Sequence, residues 1–124
     1  MSDSTDYRKK LGAKGERAAE KFLKKQGFKP VSRNLRNKAG EIDLLMWDGE
    51  ELVVVEVRSM QAEGEVWGSE KVPLSKRRQV TRVANHLLAE LPEPLPTVRF
   101  DVCIVVMQPK PAVTHYINAF SPDE

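Results

Sequence analysis

The sequence predicts an α/β protein in which a mixed sheet of about five strands is flanked by helices, in the order αβββαββ. Two segments repeat apolar residues at helical spacing, and the segments between and after them are rich in β-branched and apolar residues. The chain has 124 residues and a mass of 14.0 kDa, which suits one domain with a single core. We therefore expect a flexible tail at residues 1–10, one domain at residues 11–120 and a second tail at residues 121–124.

Both helices are predicted from the period of their apolar residues. In residues 11–23 the apolar side chains form one stripe, and Gly27 is expected to end the helix. In residues 80–91 the stripe is more regular, with Ser75 as the expected N-cap and Pro92 as the stop. Lysines and arginines gather opposite the first stripe, where they either face solvent or contact phosphate.

A β-hairpin is the most informative prediction. Ile42, Leu44 and Met46 alternate with Asp43 and Leu45, as in a strand with two different faces. Asp48-Gly49 marks a tight turn, and residues 52–57 are apolar and β-branched. The remaining strands are expected at residues 29–35, 98–106 and 112–120. Residues 59–74 show no sustained period, so they are predicted to form a loop, and Trp67 within it has no assigned role.

The predicted hairpin register collects charged side chains at one end of a face. With Asp48-Gly49 as the loop, Asp43 lies opposite Val54 and diagonal to Glu56. The first face holds Ile42, Leu44, Met46, Val53, Val55 and Val57. The second face holds Leu45, Trp47, Leu52 and Val54, with Glu41, Asp43, Glu56 and Arg58 at its open end. Apolar residues on both faces predict a sheet that is covered on both sides.

Charge is distributed unevenly, although the formal net charge is only +2. Residues 8–38 carry a net charge of +10, residues 39–70 carry −8 and residues 71–82 carry +5. An acidic centre between basic segments suits a site that binds a metal ion and phosphate groups together.

Composition and missing motifs disfavour several classes of protein. No run of about 18 apolar residues is present, and the polar N-terminus lacks the pattern of a secretory signal. The single cysteine, Cys103, has no partner for an internal disulfide, so we expect a reduced protein in the cytoplasm. The sequence contains neither a phosphate-binding glycine-rich loop nor a serine-hydrolase elbow. His86 and His115 are expected to be structural, because neither belongs to a metal-ligand spacing.

The charged end of the hairpin is the candidate site for catalysis. Asp43 and Glu56 lie on neighbouring strands and on one face, so both carboxylates reach the same cation. Such oxygen ligands suit Mg²⁺ or Mn²⁺, which activates water and neutralises charge on a phosphoryl oxygen. Arg58 and the basic segments then hold the polyanion. The alternative interpretation is that these residues are ordinary solvated charges at a strand end.

Several motifs occur in a recognisable order along the chain. They are Gly15-Glu16, Arg33-Asn34-Leu35-Arg36, Gly40-Glu41-Ile42-Asp43, Val55-Glu56-Val57-Arg58 and, after a basic helix, Arg99-Phe100-Asp101. This order resembles the YraN-type family, a bacterial group placed in the restriction-endonuclease-like PD-(D/E)xK nuclease superfamily. The resemblance extends over residues 11–106. It implies a restriction-endonuclease-like fold and a metal-dependent nuclease.

The resemblance implies roles for individual residues. Asp43 matches the metal-binding aspartate of the superfamily, Glu56 matches the acidic residue of its (D/E)xK strand, and the carbonyl of Val57 is a further ligand. Glu16 matches a helical glutamate that many members use as a metal ligand. Glu41 is either a supporting group beside the metal or a solvated neighbour.

Arg58 departs from the superfamily pattern, which usually has lysine at this position. Arginine supplies positive charge and hydrogen bonds, but its pKa above about 12 prevents it from accepting a proton. Lys76, at the start of the second helix, either supplies an amine from another direction or contacts phosphate. The residues assigned to nucleic-acid binding are Lys76, Arg77, Arg78, Arg33 and Arg36.

The expected function is a Mg²⁺- or Mn²⁺-dependent endonuclease that hydrolyses phosphodiester bonds in DNA, with branched or single-stranded DNA as candidate substrates. The alternative is a catalytically inactive nucleic-acid-binding module that keeps the nuclease fold, because Arg58 replaces lysine. A third interpretation is a protein-interaction subunit whose basic faces meet an acidic partner. The expected partner is nucleic acid, DNA rather than RNA, with no membrane contact, and a homodimer is an open alternative.

Overall fold

The computed structural model describes residues 4–62 and 72–121, which contain two helices and five strands. In chain order they are α1 (Ser4–Lys25), β1 (Lys29–Asn37), β2 (Gly40–Asp48), β3 (Glu51–Ala62), α2 (Leu74–Leu88), β4 (Val98–Gln108) and β5 (Ala112–Phe120). The α/β class and the αβββαββ order are confirmed. In the described part of the chain, neither helix has the length and apolar character needed to cross a membrane.

The strands form one mixed sheet in the order β1-β2-β3-β4-β5. Strands β3 and β4 are parallel, and the other neighbouring strands are antiparallel. A parallel pair needs a crossover connection, and α2 lies within the connection between β3 and β4. The sheet therefore carries α2 against one face, while α1 packs against the other.

Helix α1 is longer at its start than the sequence predicts. It begins at Ser4, so residues 4–10, which were expected to belong to a tail, extend the helix by almost two turns. Its end is as predicted, because Gly27 adopts a positive φ of 100°. The Phe28 amide donates to the Leu23 carbonyl and the Gly27 amide donates to the Lys24 carbonyl, which is the Schellman arrangement of a helix end.

Two boundaries around the predicted loop are wrong. Strand β3 continues to Ala62, because residues 59–62 pair with β4 instead of leaving the sheet. Helix α2 begins at Leu74, with Pro73 at the N-cap and no side-chain capping bond, so Ser75 lies inside the helix. Proline suits the start of a helix because it has no amide hydrogen to leave unpaired. Residues 63–71, including Trp67, lie outside the described residues.

The hairpin of β2 and β3 is confirmed, but its register differs from the prediction by two residues. Asp48 pairs with Glu51, so the loop consists of Gly49 and Glu50. Gly49 takes a φ of +63°, which a glycine adopts without steric cost. A shift of two residues leaves the regularly paired side chains of the hairpin on their predicted faces. The last regular pair is Leu44 with Val55, and the same register continued by one residue brings Asp43 level with Glu56 instead of diagonal to it.

Two apolar clusters cover the faces of the sheet, as predicted. The α1 side is built around Leu23, Leu44, Val53, Val55 and Val105. The α2 side is built around Leu45, Val54, Val80, Val83 and Phe100. Ile42 was predicted beside Leu44, yet it belongs to the cluster on the α2 side, so the strict alternation of β2 ends at the candidate site.

An ionic cluster around the buried Asp101 joins four strands near the hairpin turn, and it includes Glu51 of β3 beside Arg99. Arg99 donates from Nε to Asp101 Oδ1 at 2.8 Å and from Nη1 to Asp48 Oδ2 at 2.9 Å. His115 Nε2 lies 2.7 Å from Asp101 Oδ2, and the Asn118 amide donates to Asp101 Oδ1 at 2.9 Å. The buried Asp101 carboxylate is therefore well paired. This arrangement agrees with the structural role expected for His115.

Helix α1 approaches β3 so closely at Gly15 that no side chain fits there. A Cβ atom at Gly15 would lie 1.7 Å from Ser59 Oγ and 2.8 Å from Ser59 Cβ. Gly12 in the same helix has nothing within 4 Å of such an atom. We expect Gly15→Ala to lower the free energy of unfolding by about 1–3 kcal/mol through overpacking. Gly12→Ala should raise it by about 0.5–1 kcal/mol through helix propensity.

Urea denaturation of the two alanine variants measures this difference between matched positions. Adding Ser59→Gly to Gly15→Ala should restore part of the lost stability, because the clashing side chain is removed. Equal stability of the two alanine variants would contradict the close approach of α1 to β3.

Candidate metal and phosphate site

An open cleft of about 570 Å³ lies at the end of the hairpin, beside the start of α2. It is lined by Asp43, Glu56, Val57, Arg58, Ser59, Val72, Pro73 and Lys76. The residues predicted for metal binding and catalysis on β2 and β3 thus surround one space. Lys76, which the sequence assigned to phosphate binding, is in the same cleft.

Asp43 stands where β2 stops pairing regularly with β3. The last regular pair of the hairpin is Leu44 with Val55. Beyond it, the Val57 amide donates to Asp43 Oδ2 at 2.9 Å. This hydrogen bond takes the place of a main-chain hydrogen bond between β2 and β3. It also holds the Asp43 carboxylate beside the main chain of Val57.

Glu56 is buried in the cleft without full hydrogen bonding. Its side chain is only 5% exposed, and Lys76 Nζ lies 3.5 Å from Glu56 Oε1. Glu56 Oε2 is buried and has no hydrogen-bond partner among the described residues. Lys76 also donates to Gln79 Oε1 at 3.1 Å, one turn along α2. A buried carboxylate oxygen without a donor is costly, so this atom has capacity for a further ligand.

Burial raises the pKa values of both carboxyl groups, and the charge of Asp43 adds to the shift of Glu56. Burial raises the pKa of Glu56 to about 8, with the Asp43 charge contributing and Lys76 opposing the shift. Burial also raises the pKa of Asp43, while the hydrogen bond from Val57 and the charge of Lys76 lower it. The charged forms are therefore destabilised in the absence of a further cation, as in other paired carboxylates.

Glu16 faces this pair from α1. Burial, followed by the charge of Asp43, raises the pKa of Glu16 to about 7. A hydrogen bond with the Asn34 side chain lowers this pKa, and the charge of Glu41 raises it. Glu16 does not line the cleft itself. It lies near enough for its titration to depend on Asp43.

Asn34 and Glu41 occupy the rim of this region. Asn34 has a φ of +50°, a conformation that few residues other than glycine adopt. Glu41 accepts a hydrogen bond from Arg36 Nε at 3.0 Å. Arg36 and Glu41 are thus an exposed ion pair, and such pairs contribute little to stability.

The residues predicted to bind nucleic acid fall into two groups. Lys76, Arg77 and the exposed Arg78 occupy the first turns of α2, although only Lys76 lines the cleft. Arg77 Nε is buried without a hydrogen-bond partner in the described part of the chain. Arg33 lies away from the cleft, where it forms an ion pair with the buried carboxylate of Glu20.

The donor set suits a hard cation bound through few protein ligands. Within residues 4–62 and 72–121, no three His, Cys, Asp or Glu side chains form a complete metal-binding group. The cleft does offer two carboxylates, the half-buried Asp43 and the buried Glu56, and one Glu56 oxygen without a hydrogen-bond partner among the described residues. Mg²⁺ commonly binds through one or two carboxylates, waters and substrate phosphates, so the residues present fit this ion.

Sequence reasoning did not identify Ser59, Pro73 or Glu20. Ser59 lines the cleft and its buried Oγ has no hydrogen-bond partner among the described residues. The small Gly15 in the amphipathic pattern of α1 was the available signal, because it allows the approach to Ser59. Glu20 lies one helical turn beyond Glu16, on the same side of α1.

By fold, the chain is a mixed α/β protein of the restriction-endonuclease-like type, and its acidic cleft lies at the end of the central hairpin. The sequence model of the family described as "Uncharacterised protein family UPF0102" matches residues 15–105. The chain therefore belongs to the UPF0102 family, which is the YraN-type family indicated by the motifs.

Similar proteins from several bacteria carry the same family name. A UPF0102 protein of Chlorobaculum tepidum is 40% identical over 96 residues, covering 77% of this chain and 74% of that protein. One of Nocardia farcinica is 38% identical over 112 residues, covering 89% and 88%. One of Symbiobacterium thermophilum is 39% identical over 103 residues, covering 83% and 86%. The similarity thus includes most of each chain.

Proposed function

We propose that this protein is a metal-dependent endonuclease that hydrolyses phosphodiester bonds in DNA. The observation that carries the proposal is the pair of the half-buried Asp43 and the buried Glu56 in one cleft, with Lys76 Nζ 3.5 Å from the Glu56 carboxylate. Burial raises the pKa of both acids, and a bound cation would stabilise their charged forms. A cation and a lysine in one open cleft suit an anionic phosphodiester substrate.

Mg²⁺ or Mn²⁺, when bound, would activate water and neutralise developing charge on a phosphoryl oxygen. The carboxylates of Asp43 and Glu56 and the carbonyl of Val57 would hold the ion. Glu16 would support them from α1, because its titration depends on Asp43. The hydrogen bond from the Val57 amide keeps the Asp43 carboxylate oriented before any ligand binds.

Arg58 and Lys76 divide the tasks that one lysine performs in most of the superfamily. Both line the cleft, Arg58 from β3 and Lys76 from α2. Arg58 would stabilise the charge of the scissile phosphate, for which a fixed guanidinium is suited. Lys76 would neutralise Glu56 and contact the attacking water or the phosphate, since its ammonium group lies within 3.5 Å of the carboxylate.

The DNA backbone would be held mainly from the start of α2. Lys76, Arg77 and Arg78 lie in its first turns, where unpaired amide groups also favour anions. Arg33 and Arg36 would add contacts from β1. Contacts of this kind go to phosphates and carry little sequence information, so we propose recognition of DNA structure, in branched or single-stranded substrates. A homodimer would allow both strands of a branched substrate to be cut.

A panel of labelled single-stranded, duplex, flapped and four-way DNA tests the proposal. Each substrate is incubated with Mg²⁺, Mn²⁺ or EDTA, and Asp43→Ala is purified in parallel to detect a contaminating nuclease. Metal-dependent cutting by the parent protein alone supports the proposal. If the parent protein cuts none of the substrates with either metal, the proposal is contradicted.

The second candidate is a nucleic-acid-binding module without turnover, which the arginine at position 58 favours. We expect Arg58→Lys to leave metal-dependent cleavage within about tenfold of the parent, because Lys76 already places an amine beside Glu56. The initial rate on the best substrate of the panel measures this. An inactive parent that gains cleavage through Arg58→Lys would favour the binding module instead.

A further inference from the structure

A basic trough lies between α1 and β1, outside the cleft. Two overlapping depressions of about 430 Å³ and 480 Å³ share Glu20, Lys24 and Arg33. The charged residues that line this α1–β1 trough are Arg17, Glu20, Lys21, Lys24, Lys25 and Arg33. Its described lining thus carries five cationic side chains against one carboxylate. A concave surface of one charge sign concentrates field and attracts polyanions.

The single carboxylate of the trough is already neutralised. Glu20 is buried, with a side chain only 7% exposed, and it forms an ion pair with Arg33 Nε. The Arg33 side chain remains 61% exposed. The ion pair therefore joins α1 to β1 and holds Arg33 at the trough, while the exposed lysines of α1 give the surface its net positive charge.

The trough lies one helical turn along α1 from Glu16, the residue of this helix whose titration depends on Asp43. Glu16 is influenced by Asp43 of the cleft and hydrogen bonds with Asn34 of β1. Glu20 follows one turn later and pairs with Arg33, the preceding residue of β1. The two contacts are therefore about 6 Å apart along the helix axis. A strand that passes Glu16 therefore needs to extend by only about one helical turn to reach the trough.

The lining indicates which part of a nucleic acid would be recognised. None of the described residues that line the two depressions is aromatic, so the trough has no platform for base stacking. Flexible lysines on a helix contact phosphates irrespective of the base sequence. The chemistry of the trough thus matches a phosphodiester backbone.

We propose that the α1–β1 trough is a second binding site for the phosphodiester backbone, which guides the DNA strand into or out of the cleft. The guidance of the strand into or out of the cleft rests on the proposed nuclease function. Binding of the backbone by the trough does not depend on that function, so binding and cleavage are tested separately.

Fluorescence anisotropy with labelled oligo-dT and with a labelled duplex measures binding in EDTA, where metal-dependent cleavage is suppressed. The test variant is Lys21→Glu/Lys24→Glu. The matched control is Lys9→Glu/Lys110→Glu, which makes the same charge change at two exposed positions outside the trough. Thermal melting of each variant checks that the fold is intact.

We expect the trough variant to bind about tenfold more weakly than the control at moderate salt. The slope of log affinity against log salt should decrease by roughly 1.4 for the single strand or 1.8 for the duplex. A loss with both probes supports backbone recognition in general, and a loss with one probe identifies the form of DNA that uses the trough. Affinity and slope equal to those of the control with both probes would overturn the proposal. Cleavage by the parent, measured separately with Mg²⁺, decides the nuclease function independently.

Discussion

Replacing Asp43 by asparagine is expected to lower metal-dependent cleavage roughly 10³-fold while the domain keeps its fold. Asparagine retains an oxygen that can accept the hydrogen bond from the Val57 amide, which is 2.9 Å long in the parent. It removes the negative charge that a divalent cation requires at this position. The loss corresponds to about 4 kcal/mol of transition-state stabilisation.

Asp48→Asn is a suitable control for this substitution, because it changes the same residue type at the other end of β2. Asp48 pairs with Arg99 near the hairpin turn and does not line the cleft. Initial rates under saturating Mg²⁺ or Mn²⁺ give the comparison, with circular dichroism as the measure of folding. Cleavage by Asp43→Asn within tenfold of the Asp48→Asn rate would remove Asp43 from the metal site.

The second large effect is a loss of stability of the metal-free protein as pH rises. Folding raises the pKa of Glu56 from its ordinary value of 4.5 to about 8. Between these values the native state holds a proton that the unfolded state has released. The stabilising contribution is therefore complete below pH 4.5 and is lost as pH rises through 8, with a limiting slope of about 1.4 kcal/mol per pH unit.

Glu56→Gln isolates this contribution because glutamine imitates the protonated side chain at every pH. In EDTA, parent and variant should have similar melting temperatures at about pH 5, and the variant should be more stable at about pH 8. One kcal/mol corresponds to about 4 °C in a domain of this size. Thermal melting over a pH series measures the effect.

Glu90→Gln, at an exposed position after α2, provides the matched control. Its pH profile should follow that of the parent. Mg²⁺ or Mn²⁺ at pH 8 should raise the melting temperature of the parent and of Glu90→Gln more than that of Glu56→Gln. Parallel pH profiles for the parent and Glu56→Gln would show that Glu56 is not protonated on folding.

Much of the fold was predictable because it depends on local patterns. The periods of apolar residues located both helices and all five strands, and the predicted limits of β5 agree with the structure. The predicted end of β3 was wrong for a non-local reason. Residues 59–62 remain in a strand because β4 pairs with them, and this pairing has no signal in the local sequence.

The candidate site was predictable in its composition and less so in its geometry. Side chains alternate between the two faces of a strand, so a shift of two residues preserves the faces. Asp43 and Glu56 were therefore predicted on one face despite the error in register. The position of Gly49 in the loop, where its positive φ is accommodated, brought the two acids level. The Arg33 contact with Glu20 was not predicted, since it joins two separate elements.

The amino-acid sequence is sufficient to predict the α/β class, the element order, the family and the set of acidic and basic residues at the centre of the chain. These features follow from periodicity, turn residues and the order of motifs, which are properties of neighbouring positions. The tertiary structure decided which charges meet. Packing of α2 brings Lys76 to Glu56, and the close approach of α1 at Gly15 brings Glu16 toward Asp43. Burial then raises the pKa values of these acids, and burial arises only when distant elements pack together.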